Sequence, residues 1–265
     1  MNAWDQLRGE SIENVLKNLQ EEIRSQPDQA KLRIYLFQLL CIQGKWDRAI
    51  NQLDVIKDLD VEALPMVHAY RAVIKAEVFR HSVFSGTHQP LIFGEPPNWI
   101  ASLIQSLKEL VAGNLDKANN LRNYAFDNAN SYAGSINDKQ FEWIADADSR
   151  LGPVLEVIID GKYYWLPFDN INEITLEAPS HLRDLVWQPA NFQWKNGGEW
   201  YGFIPSRYSG TISMGDNNEL LGRQTRWIQY GNNENYGYQG IGQRMFATDS
   251  LDISLFDSRK ITFGQ

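Results

Sequence analysis

The stretch best equipped for chemistry is FEWIADADSRLGPVLE, residues 141–156, where Glu142, Asp146, Asp148, Arg150 and Glu156 stand around Trp143 and a Gly152-Pro153 pair. Carboxylates gathered this way can hold a divalent cation or work as an acid and base pair. The calcium-loop template is not met, because counting from Asp146 its sixth position is Leu151 rather than glycine and its twelfth is Val157. The same residues have a structural reading. Asp146 or Asp148 caps backbone amides where helical text gives way to strands, and Arg150 makes an ion pair across that junction. A third reading is a partner-binding surface. Arg183-Asp184 in HLRDLVW and Ser206-Arg207-Tyr208 in FIPSRY are further polar insertions into apolar text, and each suits a turn residue or a donor to a partner.

Other chemistries find little support. There is no GxxxxGK[ST] phosphate loop and no GxSxG elbow. Gly240-Ile241-Gly242 opens like a dinucleotide loop, but Met245 stands at the third glycine position and no βαβ unit surrounds it, so we expect a turn there. The four histidines, His68, His81, His88 and His181, show no metal-ligand spacing. The lone cysteine, Cys41, lies in the apolar run LFQLLCIQG, where a thiol behaves as a small core hydrophobe. No catalytic residue, metal site or cofactor is expected.

Two kinds of text must position these residues. Ser11 to Ser25 puts Ile12, Val15, Leu16, Leu19 and Ile23 on one helical stripe, with Ser11 as N-cap and Pro27 as terminator. Asp28 is the expected cap of AKLRIYLFQLLCIQ, a helix apolar nearly all round. Further helices are expected over 45–59, 62–84, 97–112 and 114–129. Gly9, Gly44 and Gly113 each precede a small or short residue by five positions (Asn14, Ala49, Ala118), and their separations of 35 and 69 approach one and two 34-residue tetratricopeptide periods. The match is degenerate, since Phe37 occupies a position that repeat keeps small.

From Leu151 the period changes to two. In VLEVIIDGKYYWLPF, Asp160-Gly161 supplies the turn of a hairpin. Strand-like runs follow at NINEITLEA, NFQWKNGG, EWYGFIP, QTRWIQYG, QRMFATD and DISLFD, and six of the nine tryptophans fall between Trp143 and Trp227. Such aromatic density suits the core of a small barrel or sandwich. Ser209 to Asn235, polar and rich in Gly and Asn, is expected to contain a mobile loop. We therefore expect an α+β chain of two domains: a tetratricopeptide-like α-superhelix over 1–135 and a compact, barrel-like β-rich domain over 136–265.

The chain has 265 residues and a net charge of −8, divided as −2 over residues 1–135 and −6 over 136–265. Neither part has the basic face that nucleic acid or an anionic membrane requires. No apolar run approaches the roughly 20 residues that span a bilayer, and the first residues lack the basic-then-apolar pattern of a secretory signal. A cytoplasmic location is expected.

Taken together, FQLLCIQGKWDRAINQLD, PLIFGEPPNWIASLIQSL, FEWIADADSRLGPVLEVIIDGKYYWLPF, HLRDLVWQPANF, FIPSRY and GIGQRMFATD resemble the ImpE (TagJ) family, accessory proteins of bacterial type VI secretion systems. The resemblance runs from about Gln6 to Ile261. It implies a helical tetratricopeptide-like part joined to a β-rich part, without enzymatic activity. It also implies a partner, the N-terminal helix of the small subunit of the contractile sheath, and a link to sheath assembly or to recycling by the ClpV ATPase. A chaperone or scaffold for another secretion client, or a carboxylate-based metal enzyme, are the competing expectations. The residues carried over are a candidate surface only: Trp143, Asp146, Asp148, Arg150 and Arg207, to which the local text adds Glu142.

Overall fold

The computed structural model describes Leu7 and residues 10–264; Gly9 lies outside the described residues. Helix α1 (Ile12–Ser25) starts at Ser11, whose hydroxyl accepts the Asn14 N–H at 3.3 Å, and it buries the expected stripe from Ile12 to Ile23. Helix α2 (Ala30–Ile42) begins at Ala30, as the sequence suggests, but with a different cap. Its N-cap is Gln29 rather than Asp28, with no side-chain hydrogen bond. Then come α3 (Trp46–Leu59), α4 (Leu64–Phe84, with Pro65 in its first turn), α5 (Ile100–Val111) and α6 (Leu115–Asn128).

Two of the inter-helix turns are built alike. Gly44 and Gly113 adopt φ of +67° and +80°, a region open chiefly to glycine. The next residues, Lys45 and Asn114, share φ near −85° and ψ of 66°. Each donates its N–H to a carbonyl five residues back, Leu40 or Glu109, at 2.9 Å. Ala49 and Ala118 are buried where the paired helices close. The chain thus repeats one helical hairpin, α2–α3 and α5–α6, at the spacing the glycines suggest.

The strands are β1 (Leu91–Ile92), β2 (Gly134–Ile136), β3 (Lys139–Phe141), β4 (Ile144–Asp146), β5 (Val154–Ile159), β6 (Lys162–Pro167), β7 (Ile171–Leu176), β8 (Trp187–Trp194) and β9 (Glu199–Pro205). After two short helices, α7 (Thr211–Met214) and α8 (Asn217–Leu220), come β10 (Thr225–Gln229), β11 (Tyr238–Gly242), β12 (Met245–Thr248), β13 (Asp252–Ser254) and β14 (Lys260–Phe263). The main sheet runs β1-β6-β5-β9-β8-β7-β14-β2-β3. It is antiparallel except where β1 joins β6 in parallel. The protein is therefore a mixed α+β chain, helical first and strand-rich afterwards. The barrel-like expectation is corrected: closure needs the two outer strands to pair, and here β1 pairs β6 while β3 pairs β2, leaving an open sheet.

Two further stretches gain detail. Ser209 to Asn235, expected to contain a loop, carries α7, α8 and β10, with turns between and after them. Gly240-Ile241-Gly242 lies in β11, paired with β10, rather than in a turn. A Cβ on Gly240 would come within 2.2 Å of the Tyr208 ring, so glycine there serves close packing.

The sheet works on both faces. Along β5, Val154 and Ile158 join the core beneath the helices, while Leu155, Val157 and Ile159 join a second core with Phe168, Phe192, Ile204, Phe246 and Ile261. Period-two alternation in a strand buried on both sides produces this split. The helix-side core is aromatic: Trp187 of β8 lies 5.6 Å from Trp46 of α3 and 6.2 Å from Tyr70 of α4, centroid to centroid. Among the described residues no helix is long and apolar enough to cross a membrane.

Candidate functional site

Glu156 follows the same alternation, and it therefore points out of β5 toward α4 with its side chain wholly buried. On α4, Glu77, Arg80 and Phe84 are spaced three and four apart, so they share one face. Arg80 reaches Glu156 with Nε at 2.6 Å and Nη2 at 3.0 Å. Its Nη1 takes Glu77 at 2.9 Å, and Nη2 also donates to the Arg207 carbonyl at 3.0 Å. From β6, the Tyr163 hydroxyl donates to Glu156 at 2.5 Å and accepts from Trp165 Nε1 at 2.7 Å. Trp187 Nε1 donates to the second oxygen of Glu77 at 3.0 Å.

A second arginine closes the network. Arg244, between β11 and β12, is wholly buried and pairs with both Glu156 and Asp146. Its Nε donates to the Pro205 carbonyl at 2.8 Å. Asp146, the last residue of β4, accepts the Asp148 N–H at 2.9 Å. Asp148 binds Arg150 through Nε at 2.8 Å and Nη2 at 2.5 Å, and it also accepts the N–H groups of Arg150 and Gly240, each at 2.9 Å. The Arg150 guanidinium lies over the Phe84 ring at 4.7 Å, which returns the network to α4.

The two linked carboxylates titrate in opposite directions. Burial works against ionising Glu156, yet Arg80, Arg244 and the Tyr163 hydroxyl hold it down to about 2. At Asp146 burial wins over Arg244, with Asp148 adding repulsion, and the group is pushed up to about 7.

Six residues were singled out from sequence. Asp146, Asp148, Arg150 and Arg207 are buried at the junction of helices and sheet. Glu142 and Trp143 are exposed at its margin, where both backbone N–H groups donate to Asp249 Oδ1 at 2.7 and 3.4 Å. Glu142 does not join Asp146 and Asp148, and those two face different arginines. Among the described residues no group of three His, Cys, Asp or Glu can hold a metal ion. What the network can do is clamp: with their oxygens committed, these carboxylates join α4, β4, β5 and the β11–β12 turn. Sequence reading missed Glu77, Arg80, Tyr163 and Arg244; it named Glu156 in the charged string but did not carry it into the candidate surface. The signal was present, since VFRHSVF, VLEVII and GQRMF each carry one charge inside apolar text.

Known proteins carry this architecture. The ImpE protein family model matches residues 138–262, the part that supplies Asp146 to Glu156 and Arg244. A Pseudomonas aeruginosa protein described as type VI secretion system accessory component TagJ is 47% identical over 263 residues, spanning 99% of this chain and 91% of its own length. The chain belongs to the ImpE family. An X-ray crystal structure of a Vibrio parahaemolyticus protein superposes on this ImpE chain with a TM-score of 0.88 at 26% identity, covering 100% of this chain and 98% of the other. The likeness therefore extends through the helices as well as the sheets of the ImpE chain.

Proposed function

We propose that this ImpE protein is a non-catalytic, cytoplasmic accessory protein of a type VI secretion system. In this reading it acts as an adaptor that receives the N-terminal helix of the small sheath subunit and bears on sheath assembly or on recycling by the ClpV ATPase. The observation that carries the reading is the 47% identity, over 99% of the chain, to a protein described as an accessory component of that system. The repeated hairpin supports it. We read residues 1–135 as a tetratricopeptide-like unit and 136–265 as the β-rich unit, and stacked helical hairpins commonly offer a groove to an amphipathic helix. The buried charge network fits a protein that holds its shape for a partner instead of turning over a substrate.

The test is titration calorimetry of the full-length protein against a synthetic peptide of the sheath subunit's N-terminal helix from the same genome. Saturable binding in the micromolar range or tighter is the expected result, with a negative heat-capacity change as the helix orders and buries its apolar face. No heat at high micromolar protein removes the sheath-helix reading.

A further inference from the structure

Three arginines of the junction spend their charge on carboxylates: Arg80 on Glu77 and Glu156, Arg150 on Asp148, and Arg244 on Asp146 and Glu156. Arg207 does not. It is only 4% exposed, and no carboxylate pairs with it among the described residues. Its Nη1 donates to the carbonyls of Ile42 and Leu220, the last residues of α2 and α8, at 2.9 and 2.8 Å. Its Nε and Nη2 have no acceptor among the described residues.

Those two nitrogens are not sealed in the interior as the partnerless Arg183 Nε is. Arg207 lines a cleft of about 330 Å³ walled by Trp46 of α3, Glu77 and His81 of α4, and the segment from Ser209 to Ser213. The carboxylate already in the cleft, Glu77, is committed to Arg80 and Trp187 at 2.9 and 3.0 Å. Burial lowers Arg207 to about 10, with Glu77 opposing and Arg80 reinforcing that drop, as befits a cation without its counter-charge. At the rim, Ile212 is 42% exposed, which sets apolar surface beside the cation.

We propose that this cleft is a carboxylate-receiving pocket, in which Arg207 Nε and Nη2 take the side chain of an aspartate or glutamate presented by a partner polypeptide whose apolar neighbours cover Trp46 and Ile212. The charge argues for the occupant. A buried guanidinium with two unused donors on one side is completed by the two oxygens of a carboxylate, and an acidic residue flanked by apolar ones matches both floor and rim. The inference deepens the adaptor reading, on which it rests for the identity of the partner but not for the chemistry of the pocket.

The experiment follows the guanidinium resonances of the full-length protein labelled with ¹⁵N-arginine. Acetate is the carboxylate probe, and chloride at equal ionic strength is the control. The Arg207 Nε signal is expected to move saturably with acetate and not with chloride, while those of Arg80, Arg150 and Arg244 stay in place. An equal response to both salts overturns the pocket. In a second arm, the sheath-helix peptide is compared with versions in which each Asp or Glu is changed to its amide. One such change is expected to weaken binding at least roughly tenfold, as is Ser213→Trp, which narrows the mouth without touching Arg207. If the helix binds with full affinity in every case, the adaptor reading stands and the pocket falls. If the helix fails to bind while acetate still moves Arg207, the pocket stands and the sheath partner falls.

Discussion

The hairpins α2–α3 and α5–α6 turn on the same backbone, yet the rest of the chain treats them in opposite ways. The first is covered. Arg207 caps its Ile42 carbonyl at 2.9 Å, the Arg183 N–H reaches its Gln38 at 3.2 Å, and the Ile212 side chain rests on Gly44. The second caps itself. Where the first has buried Leu40, the second has Glu109, which binds Asn114 Nδ2 and Gln105 Nε2, each at 2.8 Å, and Lys117 Nζ at 2.7 Å. The residue at that position follows its neighbours: apolar where strand-side chain packs on the turn, charged where Gln105, Asn114 and Lys117 of the hairpin itself enclose a buried carboxylate. One backbone motif thus has its glycine packed under Ile212 in one place and open in the other, where the strand-rich part touches the helix that follows instead, through Tyr236 on Asp116 at 2.7 Å.

The most severe way to break the contrast is to strip the charge from the side that is anchored. Glu156→Gln leaves Arg80 and Arg244 buried around a neutral amide, with an expected cost of about 3–5 kcal/mol in the free energy of urea unfolding. Asp146→Asn should cost clearly less, because burial already holds that acid near half-protonation at pH 7. The signs are opposite. Asp146, raised to about 7, contributes fully below its unfolded value near ~4 and loses that contribution as pH rises through 7. Glu156, lowered to about 2, contributes above its unfolded value near ~4.3 and loses it as pH falls toward 2.

Next in size is Gly44→Ala. Alanine is strained at φ +67°, and its Cβ would lie 2.6 Å from Ile212 Cδ1, so a loss of about 2–3 kcal/mol is expected. Measured in an Ile212→Ala background, the same change should cost only the backbone part. Equal costs in the two backgrounds would show that Ile212 does not press on that turn.

Gly113→Ala supplies that backbone part alone. Nothing lies within 4 Å of the added carbon, and roughly 1 kcal/mol is the expected loss by thermal unfolding. The smallest effect is at Glu109. Hydrogen bonds from Lys117, then Asn114 and Gln105, hold its carboxyl down to about 2. Its contribution is therefore present above the ordinary carboxylate range and fades as pH falls toward 2. Melting temperatures of wild type and Glu109→Gln should converge between pH 5 and pH 2; curves that stay parallel would deny the carboxylate its role as a cap.

The hairpins were legible because glycine, a small residue five positions later, and an apolar stripe are local signals. The Asp160-Gly161 turn was legible for the same reason, with φ of 49° and 70° in the structure. Strands β2, β3, β4 and β14 were not, since three or four residues show too little alternation to separate from loop. The charged text from Asp146 to Arg150 was visible, but its burial was not. Arg80 and Arg244 meet Glu156 across 76 and 88 residues of sequence, and no periodicity encodes a pairing at that range. Glu142 and Trp143 belong to the same string, yet stay at the surface because β4 starts only at Ile144.

Strand β1 is two residues long, and it comes from the segment between α4 and α5. Through Leu91 and Ile92 it lies along Tyr164 and Trp165 at the outer side of β6. That short parallel pairing makes the first part of the chain the cover of an otherwise bare sheet edge. Severed near residue 135, the strand-rich part would present β6 with unpaired backbone groups, a ready template for another copy, and the helical part would keep a strand with nothing to join. Hydrogen exchange along β6 should then report on the helices: its amides open with α4, as one cooperative unit, and not with the distant β3 edge.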